Sequence, residues 1–251
     1  MTDTAEPQSF CIGWDVGAWN CDRNKKSRDA IVILDSTMTL VGAPWRGNLR
    51  ECISGASTTS DWLKALFSNC SAEFPDAPMP VTMAIDTPLG FSEEFVSLVT
   101  ELRCVDSVGS SDTNPYLFRH TERHLFQHGL KPLSAVKDMI GSQATKGIHA
   151  LAKFAPRIES CGVWTDGQDF RAIETYPAAC RETNAIKKFL NGREKLRPDD
   201  VEDARICARV AHLFATERGT LEGPEGNVPC WEGWIWVPWR SDATASRKGN
   251  L

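Results

Sequence analysis

Three short apolar segments of this chain each carry a carboxylate at or near their end, and this feature limits the possible folds more than any other. They are FCIGWDVG (10–17) with Asp15, VTMAID (81–86) with Asp86, and DFRAIET (169–175) with Glu174. The second and third segments are soon followed by Pro88 and Pro177, which cannot continue a central strand. Each segment is therefore predicted to be a buried β-strand. An unpaired ionised carboxylate in such a strand is costly to desolvate, so something must compensate for it.

The remaining patterns predict an α/β domain built on a mixed sheet. A polar reversal from Asn20 to Arg28 leads into a second strand at 29–35, and a third strand is expected from Thr39 to Pro44, giving an antiparallel three-strand meander. Residues 58–69 show the apolar spacing of a helix behind Ser and Thr N-caps. The first strands therefore pair locally before the chain reaches the acid-bearing strand at 81–86.

The second half of the chain predicts helices, one further strand and a tail. Residues 91–160 are expected to form a helical insertion, with a Ser/Gly/Asn-rich break at 107–114. Pro198 opens a helix that runs to residue 216 on a 3.6-residue apolar period. The tryptophan-rich segment 231–239 is expected to cap the sheet or a cleft edge. We expect one domain over residues 1–240 and a flexible tail over 241–251.

The acids of these elements suggest a metal site. Asp203 lies beside the apolar stripe of the late helix, so the strand acids and this helix acid can converge. Hard divalent cations such as magnesium or manganese choose oxygen ligands. The candidate catalytic and metal-binding acids are Asp15, Asp86, Glu174 and Asp203, with Asp200 as a further metal ligand. The helix dipole alone explains acids such as Asp199 and Asp200 in the first turn, so the choice of helix ligand stays open. The alternative is that each acid caps a turn or pairs with a basic neighbour.

Several of these segments together resemble a known family. The motifs are IGWDVG (12–17), AIDTPLGF (84–91), Arg119-xx-Glu122, IETYPAA (173–179), DDVEDARICA (199–208) and EGWIWVP (232–238). In this order they are similar to the domain-of-unknown-function family numbered 429, which consists of predicted nucleases with a ribonuclease H-like fold. The resemblance implies that fold, a metal-dependent nuclease activity, and metal-binding acids at Asp15, Asp86, Glu174 and Asp203.

Candidate substrate contacts lie near these acids in sequence. Arg119 and Arg123 belong to the most basic stretch after the acid strands, and the arginine fork suits phosphate oxygens. Trp19 follows Gly17 in the loop beside Asp15 and is a candidate for stacking on a base. Three histidines recur every four residues, at His120, His124 and His128, and either bind a transition metal or form a solvated helix face.

The composition of the chain limits the kinds of partner that it is expected to bind. The net charge of −5 argues against broad attraction to nucleic acid or an anionic membrane, so phosphate binding is expected to be local. DNA or RNA is the expected substrate class, and the oligomeric state is left open. The N-terminus lacks the pattern of a signal peptide, and the nine cysteines form no CxxC pair, so a cytoplasmic protein with reduced cysteines and no membrane span is expected.

Two other functions fit parts of this pattern. A non-catalytic module could bind nucleic acid or a protein partner on the same scaffold, but the costly acids argue against it. An actin- or sugar-kinase-like phosphotransferase also starts with a similar strand and meander. That function needs a second Gly-rich phosphate loop, which the C-terminal half lacks.

Overall fold

The computed structural model describes residues 9–24 and 26–239, and these form nine strands and eight α-helices. The strands are β1 (Phe10–Asp15), β2 (Asp29–Asp35), β3 (Trp45–Gly47), β4 (Val81–Asp86), β5 (Arg157–Ser160), β6 (Val163–Thr165), β7 (Phe170–Thr175), β8 (Leu221–Glu222) and β9 (Ile235–Pro238). The helices are α1 (Arg50–Gly55), α2 (Thr59–Asn69), α3 (Glu93–Glu101), α4 (His120–Gln127), α5 (Gly141–Phe154), α6 (Pro177–Cys180), α7 (Asn184–Leu190) and α8 (Asp199–Thr216).

The strands form one mixed sheet in the order β3-β2-β1-β4-β7-β6-β5. The central strands β1, β4 and β7 run parallel, and the flanking strands pair antiparallel on both sides. Beyond the end of β6, strand β9 pairs parallel with β7, where Glu174 faces Ile235. The expected α/β class with a mixed sheet is confirmed. The acid-bearing strands are the three central parallel strands, so their carboxyl ends meet at one edge.

Helices cover both faces of the sheet and separate two apolar clusters. On one face, α8 packs across β1, β2 and β4 through small residues such as Ala204 and Ala208. On the other face, α2 and α5 cover Ile12, Trp14 and their neighbours. Close packing of α8 depends on Gly13, because a Cβ there would overlap the carbonyl oxygen of Ala204.

The structure corrects two expectations about strands. The third strand is Trp45–Gly47, whereas the predicted segment from Thr39 to Pro44 forms one isolated bridge, between Leu40 and Leu34. Gly42 adopts a positive φ of 69°, and the next N–H donates to Cys70, so the chain turns away before pairing resumes. The segment 231–239 does not merely cap the sheet, because its last residues extend the sheet as β9.

The segment that was expected to be a helical insertion is only partly helical. Residues 91–160 contain α3, α4 and α5, but long stretches between these helices, including 107–114, have no helix or strand, and β5 begins at Arg157. The expected flexible tail, 241–251, lies outside the described residues. Among the described helices, none combines the length and the apolar character needed to cross a membrane.

Candidate active site

Two carboxylates stand side by side where the central strands end. Asp15 of β1 is in register with Asp86 of β4, just as Gly13 is with Ala84, so both acids lie on the face that α8 covers. Within residues 9–24 and 26–239, neither carboxylate takes part in an ion pair or a side-chain hydrogen bond. The described residues therefore supply no cationic partner of the kind that the sequence predicts such carboxylates to need.

Helix α8 adds a third acid to this pair. The contact of Ala204 with Gly13 brings the preceding residue, Asp203, close enough to act electrostatically on both strand acids. Asp203 is partly exposed and accepts a hydrogen bond from the Arg181 guanidinium. The expected convergence of strand acids with this helix acid is therefore visible, with Arg181 as its present partner.

Burial and nearby negative charges raise the pKa of these carboxylates. Burial raises the pKa of Asp15 well above the usual range, and the negative charges of Asp86 and Asp203 raise it further. Burial likewise raises the pKa of Asp86, with Asp203 as the largest charge contribution. For Asp203, burial raises the pKa and Arg181 offsets part of that effect. Protons or a cation will therefore stabilise this cluster.

Glu174 differs from the other strand acids because a guanidinium holds it. In the register of β4 and β7 it faces Ile85, so it lies on the opposite face from Asp86. Its carboxylate accepts hydrogen bonds of 2.6 and 2.8 Å from Arg119 and one of 2.9 Å from the Leu89 N–H. Burial raises the Glu174 pKa, and Arg119 counters part of the shift. Both oxygens of Glu174 are thus already engaged.

Arg119 is not the phosphate contact that the sequence suggested. It is 3% exposed, and all five of its N–H groups face acceptors: the carboxylates of Glu122 and Glu174 and the carbonyl oxygen of Glu232. The backbone N–H of Arg119 also donates to the Glu122 carboxylate at 2.8 Å, at the start of α4. Arg119 therefore orders buried carboxylates and has no donor left for a substrate.

A cavity of about 200 Å³ opens beside the acids. Its wall contains Asp15, Asp86 and Glu174 together with Ser27, Thr87, Gln143 and Tyr176, among others. Pockets that enclose whole drug-sized ligands measure about 300–1,000 Å³, so this one suits a single phosphate- or sugar-sized group. Sequence reasoning missed Tyr176 and Gln143. Tyr176 directly follows the IET motif and was visible there, whereas nothing in the helical pattern of α5 singled out Gln143.

The remaining candidates lie outside this cavity. The Arg123 guanidinium, on α4, lies 3.4 Å from Nδ1 of His120 in the same helix. Trp19 packs on α5, and its indole N–H donates to the Thr145 hydroxyl at 3.1 Å. Asp200 pairs with Arg46 at 2.6 Å, although its negative charge still raises the pKa of Asp15. None of these three side chains borders the cavity, and Asp203 does not border it either.

The candidate metal-binding acids are not already close enough to one another to form a complete metal site. In the described part of the chain, one set of three ligand-type side chains has its ligand atoms within 4.8 Å of one another, and it consists of His124, His128 and Glu222. The acids are spaced more widely, since Arg181 holds Asp203 and Arg119 holds Glu174. Arg181 contacts one carboxylate oxygen of Asp203, Oδ1.

Comparisons with protein-family models, with curated proteins and with solved structures find no match for this chain. A function for this protein must therefore be inferred from its residues and their geometry.

Proposed function

We propose that this protein is a nuclease of the ribonuclease H-like fold that hydrolyses phosphodiester bonds with magnesium or manganese. The observation that carries the proposal is the pairing of Asp15 with Asp86. Two carboxylates in register on adjacent parallel strands, both with raised pKa and neither with a cationic partner among the described residues, form a site that a divalent cation stabilises.

The strand order supports the fold part of this proposal. An antiparallel group of three strands, β1 to β3, is followed by the parallel strands β4 and β7, and α8 lies across the first and fourth strands. This arrangement agrees with the family resemblance that the motifs suggest. It also explains why acids far apart in sequence share one edge of the sheet.

The residues take different parts in the proposed reaction. Asp15 and Asp86 would hold the cation, with Asp203 as the third carboxylate, and the Arg181 guanidinium beside Asp203 would be the local cationic group for a phosphate oxygen. A divalent cation bound there supplies a water of lowered pKa and stabilises charge on the phosphate. Glu174 is a positioning residue in this scheme, because Arg119 engages its carboxylate and fixes the end of β7.

Nucleic acid is the proposed substrate class. The small cavity suits one phosphate group of a chain that continues outside it. The net charge of −5 means that binding relies on bound cations and local guanidinium groups rather than on a broad basic surface.

The test is cleavage of labelled single-stranded, double-stranded and hybrid substrates with magnesium, manganese or EDTA. We expect metal-dependent cleavage that falls by orders of magnitude in Asp15→Asn, Asp86→Asn and Asp203→Asn. The Asp200→Asn variant should lose less cleavage activity than these three, because Asp200 pairs with Arg46. The matched control Asp199→Asn should keep nearly all of the cleavage activity, since Asp199 is exposed and pairs with Lys195.

The same assay separates the alternatives. Cleavage that persists in EDTA or in Asp86→Asn would contradict the proposal. Binding of nucleic acid without cleavage under every metal condition would favour a non-catalytic module. Turnover of ATP without cleavage would favour a phosphotransferase.

A further inference from the structure

A second cluster of ligand-type side chains lies away from the acid pair, where α4 meets β8. His124 in α4, His128 at the C-terminal cap of that helix, and Glu222 in β8 bring their ligand atoms within 4.8 Å of one another. The two histidines are four residues apart, which places them on one side of the helix. Their ring centroids are 4.7 Å apart.

Two atoms of this cluster are buried without a hydrogen-bond partner. They are the Nε2 atom of His124 and the Oε2 atom of Glu222, a residue that is 2% exposed. A buried polar atom left without a partner costs about 1–3 kcal/mol, so native structures rarely retain two that face each other. The pair therefore points to a ligand that both atoms would contact.

The spacing and surroundings of these atoms fit a metal ion. The His124 Nε2 and Glu222 Oε2 atoms face each other 3.4 Å apart, within ion-pair distance but without a hydrogen bond. Two ligands of tetrahedral zinc, each about 2.0–2.1 Å from the ion, lie about 3.3–3.4 Å apart. The indole of Trp234 packs against the His124 ring, with centroids 5.0 Å apart, and gives the site an apolar wall.

We propose that His124, His128 and Glu222 bind one transition-metal cation of the zinc class. Two imidazoles and a carboxylate suit zinc, whereas magnesium prefers a shell made of oxygens. With three protein ligands, the fourth position is left for water. The ion links α4 to β8 and so fixes the helix whose N-cap residue, Arg119, organises Glu174.

The experiment titrates zinc into the full-length, EDTA-treated protein, with calorimetry for stoichiometry and cobalt absorption for the coordination geometry. We expect one site per chain, a tetrahedral cobalt spectrum and a higher melting temperature with zinc. His124→Asn, His128→Asn and Glu222→Gln should each weaken binding by more than about tenfold, since even residues that only support a ligand cost 10- to 100-fold when replaced.

Two controls keep this result specific. His149→Asn removes a histidine of α5 that contacts Trp19 and should leave zinc binding unchanged. Asp86→Asn should also leave it unchanged, which separates this site from the acid pair. His128 is exposed, so His128→Asn should fold even if replacing the buried Glu222 prevents folding. Absence of zinc binding in the wild-type protein, or full binding retained in His128→Asn and His124→Asn, would overturn the proposal.

Discussion

The acids of this protein divide according to what faces them. Asp15 and Asp86 have no cationic partner among the described residues, whereas guanidinium groups hold Glu174, Asp200 and Asp203. The sequence predicts where the strand acids lie, because the apolar runs that carry them are short and clearly bounded. The sequence does not predict which basic side chains pair with these acids. Arg119 and Arg46 lie 55 and 154 residues from the acids they hold, and no local pattern connects them.

The partner of Glu174 leads to a prediction about stability. Glu174→Gln should lower the free energy of unfolding by about 1–3 kcal/mol, because the amide NH2 replaces an acceptor oxygen facing the buried Arg119 guanidinium, whose charge Glu122 still balances. Urea denaturation measures this effect. The control is Glu159→Gln, which makes the same change in an exposed pair with Arg171 and should cost less than about 1 kcal/mol. Equal, small losses in both variants would show that Glu174 has no such structural role.

At the scale of elements, regular patterns were predictable and irregular ones were not. Strands β2 and β4 and the long helix α8 match their predicted bounds closely, since each has a continuous apolar pattern. The β5–β6 hairpin escaped prediction because β5 is mostly exposed and β6 has three residues. The site depends on one contact between elements that periodicity alone does not show, the close approach of α8 to β1.

That approach gives a prediction about Gly13. Gly13→Ala should destabilise the fold by about 1–3 kcal/mol or more, because the added methyl group meets backbone atoms of Ala204 and Ala208 that cannot rotate away. It should also reduce cleavage, since α8 carries Asp203. Gly55→Ala is the matched control, because a Cβ there contacts nothing within 4 Å. Unfolding curves that coincide for wild type and Gly13→Ala would show that α8 does not need this close approach.

At the scale of the whole molecule, the sheet gathers negative charge from distant parts of the chain at one edge. β1, β4 and α8 lie far apart in sequence, yet their register and packing place Asp15, Asp86 and Asp203 within electrostatic reach of one another. Folding therefore creates a repulsion that the unfolded chain lacks. The native state tolerates it better when protons or cations occupy the cluster.

This repulsion sets how stability depends on pH and magnesium. Burial and the negative charges of neighbouring carboxylates raise the folded pKa of Asp15 and Asp86 above the ordinary value of 3.8. The folded state therefore holds protons that the unfolded state has released. Without metal, the stability contributed by these groups is full below pH 3.8 and is lost as the pH rises through their folded pKa. Deprotonated acids bind cations, so the stabilisation by magnesium should grow over the same range.

Melting curves across pH, with and without magnesium, test this linkage. At neutral pH, magnesium at about 100 times its Kd adds about 2.7 kcal/mol, or roughly 5–10 °C for a domain of this size. Near pH 4 the gain should be smaller, because protons compete for the same oxygens. Asp86→Asn should weaken both the decline with pH and the gain with magnesium, since it removes one of the two interacting charges. Sodium chloride at equal ionic strength is the control for screening. An equal rise with sodium would show that ionic screening, not magnesium binding, stabilises the cluster. An undiminished magnesium effect in Asp86→Asn would place the stabilising cation elsewhere on the molecule.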